Sequence, residues 1–198
     1  MQYETRHLSK ENQQKIQKAV TEILQALGAD FASKDISLTP ERVASMYDEI
    51  FEGMRYTNKE IASLFDKCFE VSKSSDMVCL TDIDCFSYCA HHLALMYNMT
   101  VSVAYIPKKK IIGLSKIPRI VDMVCKRLQL QEQIGIDIAE ILKMILGTND
   151  IMVVIKGEHS CVTTRGIRKP GTKTISYCVN GIFKKKESLR KEFLSQIK

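Results

Sequence analysis

A chain of 198 residues with 45% hydrophobic and 26% charged side chains can bury a full core, which excludes intrinsic disorder. No apolar run approaches the length of a membrane span and the first residues carry no secretory pattern, so no membrane partner is expected. The net charge of +6 favours an anionic partner, and seven cysteines without an export signal point to a reducing, cytoplasmic setting.

Ser9 is placed to cap a helix whose apolar positions Ile16, Ala19, Val20, Ile23, Leu24 and Leu27 follow the 3.6-residue period, with Gly28 as its stop. Thr39 as N-cap and Pro40 as first helical residue open a second helix, ended at Gly53. Residues 54–75 read as mixed and partly loop. Strand character begins at 77–80 and returns over 98–106, where Met99, Val101, Val103 and Tyr105 alternate. Pro107-Lys-Lys-Lys110 reads as a hairpin turn with a solvated tip.

Two helices follow, one through Ile120, Val121, Val124 and Leu128, the other from Ile134 to Leu146 with Gly147 at its end. Strands return at 151–155 and 173–179, and a short amphipathic helix closes the chain over 189–197. This order predicts an α+β fold. Its four-stranded antiparallel sheet has two helices inserted between strand pairs, preceded by an N-terminal helical extension. The expected division is 1–75 for the helical region and 76–198 for the sheet domain. Free sheet edges predict a homo-oligomer.

The chemistry concentrates in two short segments. Of four histidines, three stand beside cysteines, in Cys89-Ala-His-His92 and His159-Ser-Cys161. Thiolate and imidazole donors from separated segments are how zinc is commonly held, and three protein ligands leave a position for water. Cys68, Cys79, Cys125 and Cys178, set among apolar residues without a histidine, read instead as small buried hydrophobes. The basic residues are spread along the chain and no zinc-finger spacing occurs, so nucleic acid is not expected as a partner.

Taken in order, a set of segments resembles GTP cyclohydrolase I of the tunnelling-fold superfamily. They are Thr39-Pro-x-Arg42, Asp76-Met-Val, Cys89-x-His-His-Leu93, Val103-Ala-Tyr-Ile-Pro107, Ile112-Gly-Leu-Ser-Lys116, Arg119-Ile-Val121 and Gln129-Leu-Gln-Glu132. His159-x-Cys161, Arg165-Gly166 and Arg190-x-Glu-Phe-Leu194 complete the series. The resemblance implies zinc on Cys89, His92 and Cys161, and conversion of GTP to 7,8-dihydroneopterin triphosphate with release of formate. It implies His91 and His159 as the proton-transferring groups and Glu132 as the guanine anchor. Gln131 and Ser115 become substrate contacts, and Lys116, Arg119, Arg165 and Arg42 triphosphate contacts, Arg42 from a neighbouring subunit. It also implies a decamer of two five-membered rings with active sites at subunit interfaces.

Three positions depart from the family pattern. Ala90 stands where the family has Glu, Gln133 where Arg follows the guanine anchor, and Ser45 where a lysine is common. Ala90 and Gln133 are read together as a deleted ion pair. These changes also keep open a same-fold hydrolase with an altered purine nucleotide or a ring-opened product. A non-catalytic zinc-stabilised scaffold is the third reading, against which the retention of both His91 and His159 weighs.

Overall fold

The computed structural model describes residues 3–31, 33–71 and 76–197. They form two compact units, Met1–Arg55 and Tyr56–Lys198.

In the first unit, α1 (Lys10–Ala26) begins where the Ser9 hydroxyl accepts the Asn12 N–H at 3.2 Å, as expected of a capping serine. Helix α2 (Thr39–Ile50) departs from expectation by one residue. The cap position is Leu38 and makes no side-chain bond, while Thr39 is already helical. The reason is local: a preceding turn takes up the Thr39 N–H on the Ile36 carbonyl at 2.9 Å, carrying helical backbone into Pro40. Gly53 does not end α2, which stops at Ile50; it lies within a 3-10 turn, Glu52–Arg55. Asp48 ties the N-terminal segment down, accepting the Leu8 N–H at 2.7 Å and pairing with His7 at 2.8 Å and Arg55 at 3.2 Å.

The second unit starts earlier than residue 76. Helix α3 (Asn58–Leu64) opens on a reciprocal capping box between Thr57 and Glu60, and β1 (Cys68–Glu70) follows. After them come β2 (Val78–Cys89), β3 (Ala94–Tyr105), β4 (Lys110–Ile112), α4 (Lys116–Cys125), β5 (Leu128–Gln129) and α5 (Gln131–Leu146). The chain closes with β6 (Ile151–His159), α6 (Ser160–Thr163), β7 (Lys173–Val179), α7 (Ile182–Lys185) and α8 (Glu187–Ser195).

The expected antiparallel sheet is present, in the order β2-β3-β6-β7, and the short β5 joins its β2 edge in parallel. Residues 107–110 are not a hairpin turn. β4 leaves the main sheet and pairs with β1, Lys110 opposite Glu70, in a separate two-stranded ribbon. β2 is far longer than residues 77–80. Register shifts between Leu80 and Ile83 and between Cys85 and Ser87, with Asp82 at φ 55°, break its alternation and hide it from a period-two reading.

β6 is buried on both faces, which is why Ile151-Met-Val-Val-Ile155 is continuously apolar. One face meets α5, where a Cβ at Gly135 would lie 3.2 Å from the Cys178 Cβ and 3.6 Å from Ile155. Ile134, Ile138, Ile141 and Leu142 of α5 are fully buried, as are Ile120, Val121 and Val124 of α4. The other face carries Met152 and Val154, with Ala104 of the neighbouring β3, against Phe183 and Phe193 of the C-terminal helices. β2 ends at Cys89 and β6 at His159.

Candidate active site and metal centre

Cys89 is the last residue of β2, buried and fixed from both sides. Ala94 opposes it on β3, and Gln129 of β5 pairs with it in parallel. The chain then reverses over residues 90–93. The Cys89 carbonyl accepts the N–H groups of His92 and Leu93 at 3.3 and 3.0 Å, and Leu93 adopts a left-handed φ of 52°. This reversal swings His92 back over Cys89. Cys161 arrives from the other segment, in the single turn of α6 that follows β6. The Ser160 hydroxyl anchors that turn on the Leu95 carbonyl at 2.8 Å.

One donor atom each from Cys89, His92 and Cys161 lies within 4.8 Å of the others. Donors sharing one ion at about 2.0–2.3 Å cannot be more than about 4.6 Å apart, so this set is nearly closed on a single cation. Charge supports the same fit. Burial and the neighbouring Cys89 sulfur push the Cys161 thiol up, opposed by a backbone hydrogen bond at Cys161 and by the Arg165 charge. A divalent cation supplies the opposite charge that two adjacent thiolates need. Cys89 is buried and Cys161 half-buried, whereas His92 is exposed, so the donors leave one side open. The residues present fit zinc.

His91 lies beside the donors, its Nδ1 3.9 Å from the Cys89 sulfur. His159, at the end of β6, is held by a contact that the sequence reading did not foresee. Its Nε2 is 2.9 Å from Gln131 Oε1. The Gln131 Nε2 is surrounded by acceptors at 3.2 Å: the carbonyls of Ile155 and Thr174 and the Ser176 hydroxyl. That fixes the amide's orientation, so Oε1 accepts, His159 Nε2 carries the proton, and Nδ1 remains the basic atom. Burial pushes His159 below the ordinary imidazole range, partly opposed by the Glu132 carboxylate. Gln131 was expected to touch substrate. It is 1% exposed and turned inward, a brace between α5, β6, β7 and His159.

Glu132 stands in the first turn of α5, exposed, with Gln131 and His159 beside it. Gln133, in the place of an arginine, donates to Asp137 Oδ1 at 2.8 Å. Ala90 is in the reversal after Cys89 and donates its N–H to the Gln129 carbonyl at 3.3 Å. Ser115 occupies the cap position of α4 without capping it, Lys116 is the first helical residue, and Arg119 lies exposed a turn later. Arg165 is exposed in the turn after α6, near enough for its charge to act on Cys161. Arg42 and Ser45 lie exposed on α2 of the first unit.

Of the five other cysteines, Cys85 and Cys125 are buried and Cys68, Cys79 and Cys178 are half-buried. Burial pushes Cys68, Cys79 and Cys178 up, and contact with the Cys85 thiol together with burial does so for Cys125. One residue absent from the sequence reading is Arg127. It sits in the mixed stretch Val124-Cys-Lys-Arg-Leu-Gln-Leu130, where nothing in the sequence distinguishes it from a surface charge.

An antiparallel sheet that presents two thiols and an imidazole at its strand ends, with two further histidines and a carboxylate beside them, defines a metal-assisted hydrolase. The chain belongs to the GTP cyclohydrolase I family, whose model matches residues 16–198. It is 57% identical over 173 residues to a GTP cyclohydrolase 1 of Clostridium botulinum strain Kyoto, covering 85% of this chain and 88% of that one. A protein of the same name from Clostridium acetobutylicum is 52% identical over 178 residues, 88% and 91% of the two chains. Another, from Clostridium beijerinckii, is 51% identical over 185 residues, 91% and 94%. Among the described residues no helix is long and apolar enough to cross a membrane.

Proposed function

We propose that this chain converts GTP and water to 7,8-dihydroneopterin triphosphate and formate. The convergence of Cys89, His92 and Cys161, with His91 and His159 standing free of the donor set, carries this reading. A scaffold that used the metal only for stability would not need those two histidines.

Cys89, His92 and Cys161 would hold zinc. When bound, it supplies Lewis-acid activation of water for attack at purine C8. His159, its Nε2–H committed to Gln131, presents Nδ1 to take up and return protons as the imidazole ring opens and formate leaves. His91 serves as the second proton carrier. Glu132 accepts the guanine N1–H and exocyclic amine as a charge-assisted pair, which orients C8. Ser115, Lys116, Arg119 and Arg165 bind the triphosphate, joined by Arg42 of a neighbouring subunit.

That last contact makes the active form a homo-oligomer, with a decamer as the expected state. Ile175 and Tyr177 on the outer strand β7 are exposed, as are Ile23 and Leu27 of the α1 segment, and each is surface that a further subunit would cover. The setting is the cytoplasm, where thiols stay reduced.

The test is turnover of GTP by the zinc-loaded protein, with products separated by mass and formate counted alongside. Pterin and formate in equal amounts are expected. A second reading is favoured by Gln133 and Ala90, which leave the surroundings of Glu132 and Cys89 less charged than the family pattern: the sequence of steps stops at a ring-opened nucleotide. Formate without pterin, or a product retaining its formyl group, would establish that instead.

A further inference from the structure

Arg127 lies outside the set of residues assigned above, yet it joins the two halves of the site. Its main chain runs directly into β5, where Leu128 and Gln129 pair with Tyr88 and Cys89, and its carbonyl accepts the Ser87 hydroxyl at 3.5 Å. Its side chain turns the other way, towards α5. Nη1 donates to Asp137 Oδ2 at 2.8 Å and to Asn58 Oδ1 at 2.7 Å, and Nη2 to the Tyr56 carbonyl at 2.8 Å. Asp137 in turn accepts Gln133 Nε2 at 2.8 Å, one turn back along the helix, and Asn58 Nδ2 at 3.3 Å. The Arg127 and Asp137 side chains are only 13% and 10% exposed, so water screens this ion pair weakly.

We infer that Arg127 is a positioning residue for guanine selection, setting the first turn of α5, and with it the Glu132 carboxylate, at a fixed distance from the Cys89 end of β2. One residue links both parts: its main chain leads into the strand whose Gln129 pairs with Cys89, and its guanidinium holds the acid that also accepts Gln133, the residue next to Glu132. Lysine keeps the charge but has no planar fork with which to reach Asp137, Asn58 and Tyr56 together. The inference rests on the proposed role of Glu132 as guanine anchor.

The experiment compares kcat/KM for GTP and for inosine triphosphate, which lacks the exocyclic amine, in the zinc-loaded parent, R127K and D137N proteins. A site built to hydrogen-bond that amine discriminates against its absence, and a displaced carboxylate loses the discrimination. R127K is expected to lower the GTP-to-ITP ratio at least fivefold with zinc content unchanged, and D137N to shift it the same way. D137N retains the side-chain shape and decides the matter alone if R127K does not fold. A purely structural role would lower both rates in proportion and leave the ratio where it was. A parent that prefers GTP beside variants with the same preference overturns this inference alone. A parent that turns over neither nucleotide overturns it together with the function on which it rests.

Discussion

At the scale of single residues, the site divides into what spacing reveals and what only packing reveals. The cluster of Cys89, His91, His92, His159 and Cys161 was legible because cysteines and histidines have few other reasons to stand together, while the choice of Cys89, His92 and Cys161 as the ligands came from the family resemblance. The orientation of His159 was not, because it depends on Gln131, a neutral amide whose partners Ile155, Thr174 and Ser176 come from strands far along the chain. Replacing His159 with Gln should lower kcat by about 10²–10⁴-fold, the usual contribution of a general acid–base group, with zinc content unchanged. Gln131→Ala should also lower kcat, since His159 would lose its fixed tautomer, while KM for GTP moves little. Steady-state kinetics on both variants checks this; a Gln131→Ala effect confined to KM would restore Gln131 as a substrate contact.

At the scale of elements, the helices α1, α4 and α5 were readable from their 3.6-residue period, and Ser9 from its capping chemistry, but α4 ends at Cys125 and Leu128, expected on it, lies in β5. The long strand β2 escaped because two register shifts disrupt its alternation, and the β1–β4 ribbon escaped because its strands meet only through non-local pairing. Helix α3 is seven residues long, and its one sequence signal was the Thr57-to-Glu60 capping spacing. The connection from β7 into α7 is equally exacting. Gly181 has φ 55°, and a Cβ there would fall 2.2 Å from Asp150 Oδ1 and 2.5 Å from the Asn149 carbonyl. Asp150 Oδ1 also accepts the Ile182 N–H at 2.7 Å, which starts α7. Gly181→Ala should therefore destabilise the second unit by about 3 kcal/mol, through strain and lost hydrogen bonding together. The denaturant midpoint measures it, and an unchanged midpoint would mean that the turn relaxes freely.

At the scale of the whole molecule, the two units should respond differently to acid. Burial pushes the Asp48 carboxyl up, but the Leu8 N–H, His7 and Arg55 outweigh it and hold it below the ordinary range. A lowered carboxyl contributes stability that is present above the unfolded value of about 3.9 and is lost as pH falls through the lower folded value. The protection of residues 3–55 against amide exchange, relative to the unfolded chain at the same pH, should accordingly fall as pH drops below about 4, and Asp48→Asn should flatten that dependence while weakening the unit at neutral pH. Equal acid sensitivity in the parent and the Asp48→Asn protein would remove Asp48 from this role.

In the proposed function, Cys89, His92 and Cys161 build a zinc centre on which GTP turnover depends. Its most direct test is to strip the protein with a chelator, add zinc back in measured steps, and follow bound metal and formate release together. The stripped protein should show no turnover and the rate should rise linearly to one zinc per chain, with Cys161→Ser neither retaining the metal nor recovering the rate. Full turnover in the metal-free protein, or a Cys161→Ser variant as active as its parent, would contradict it.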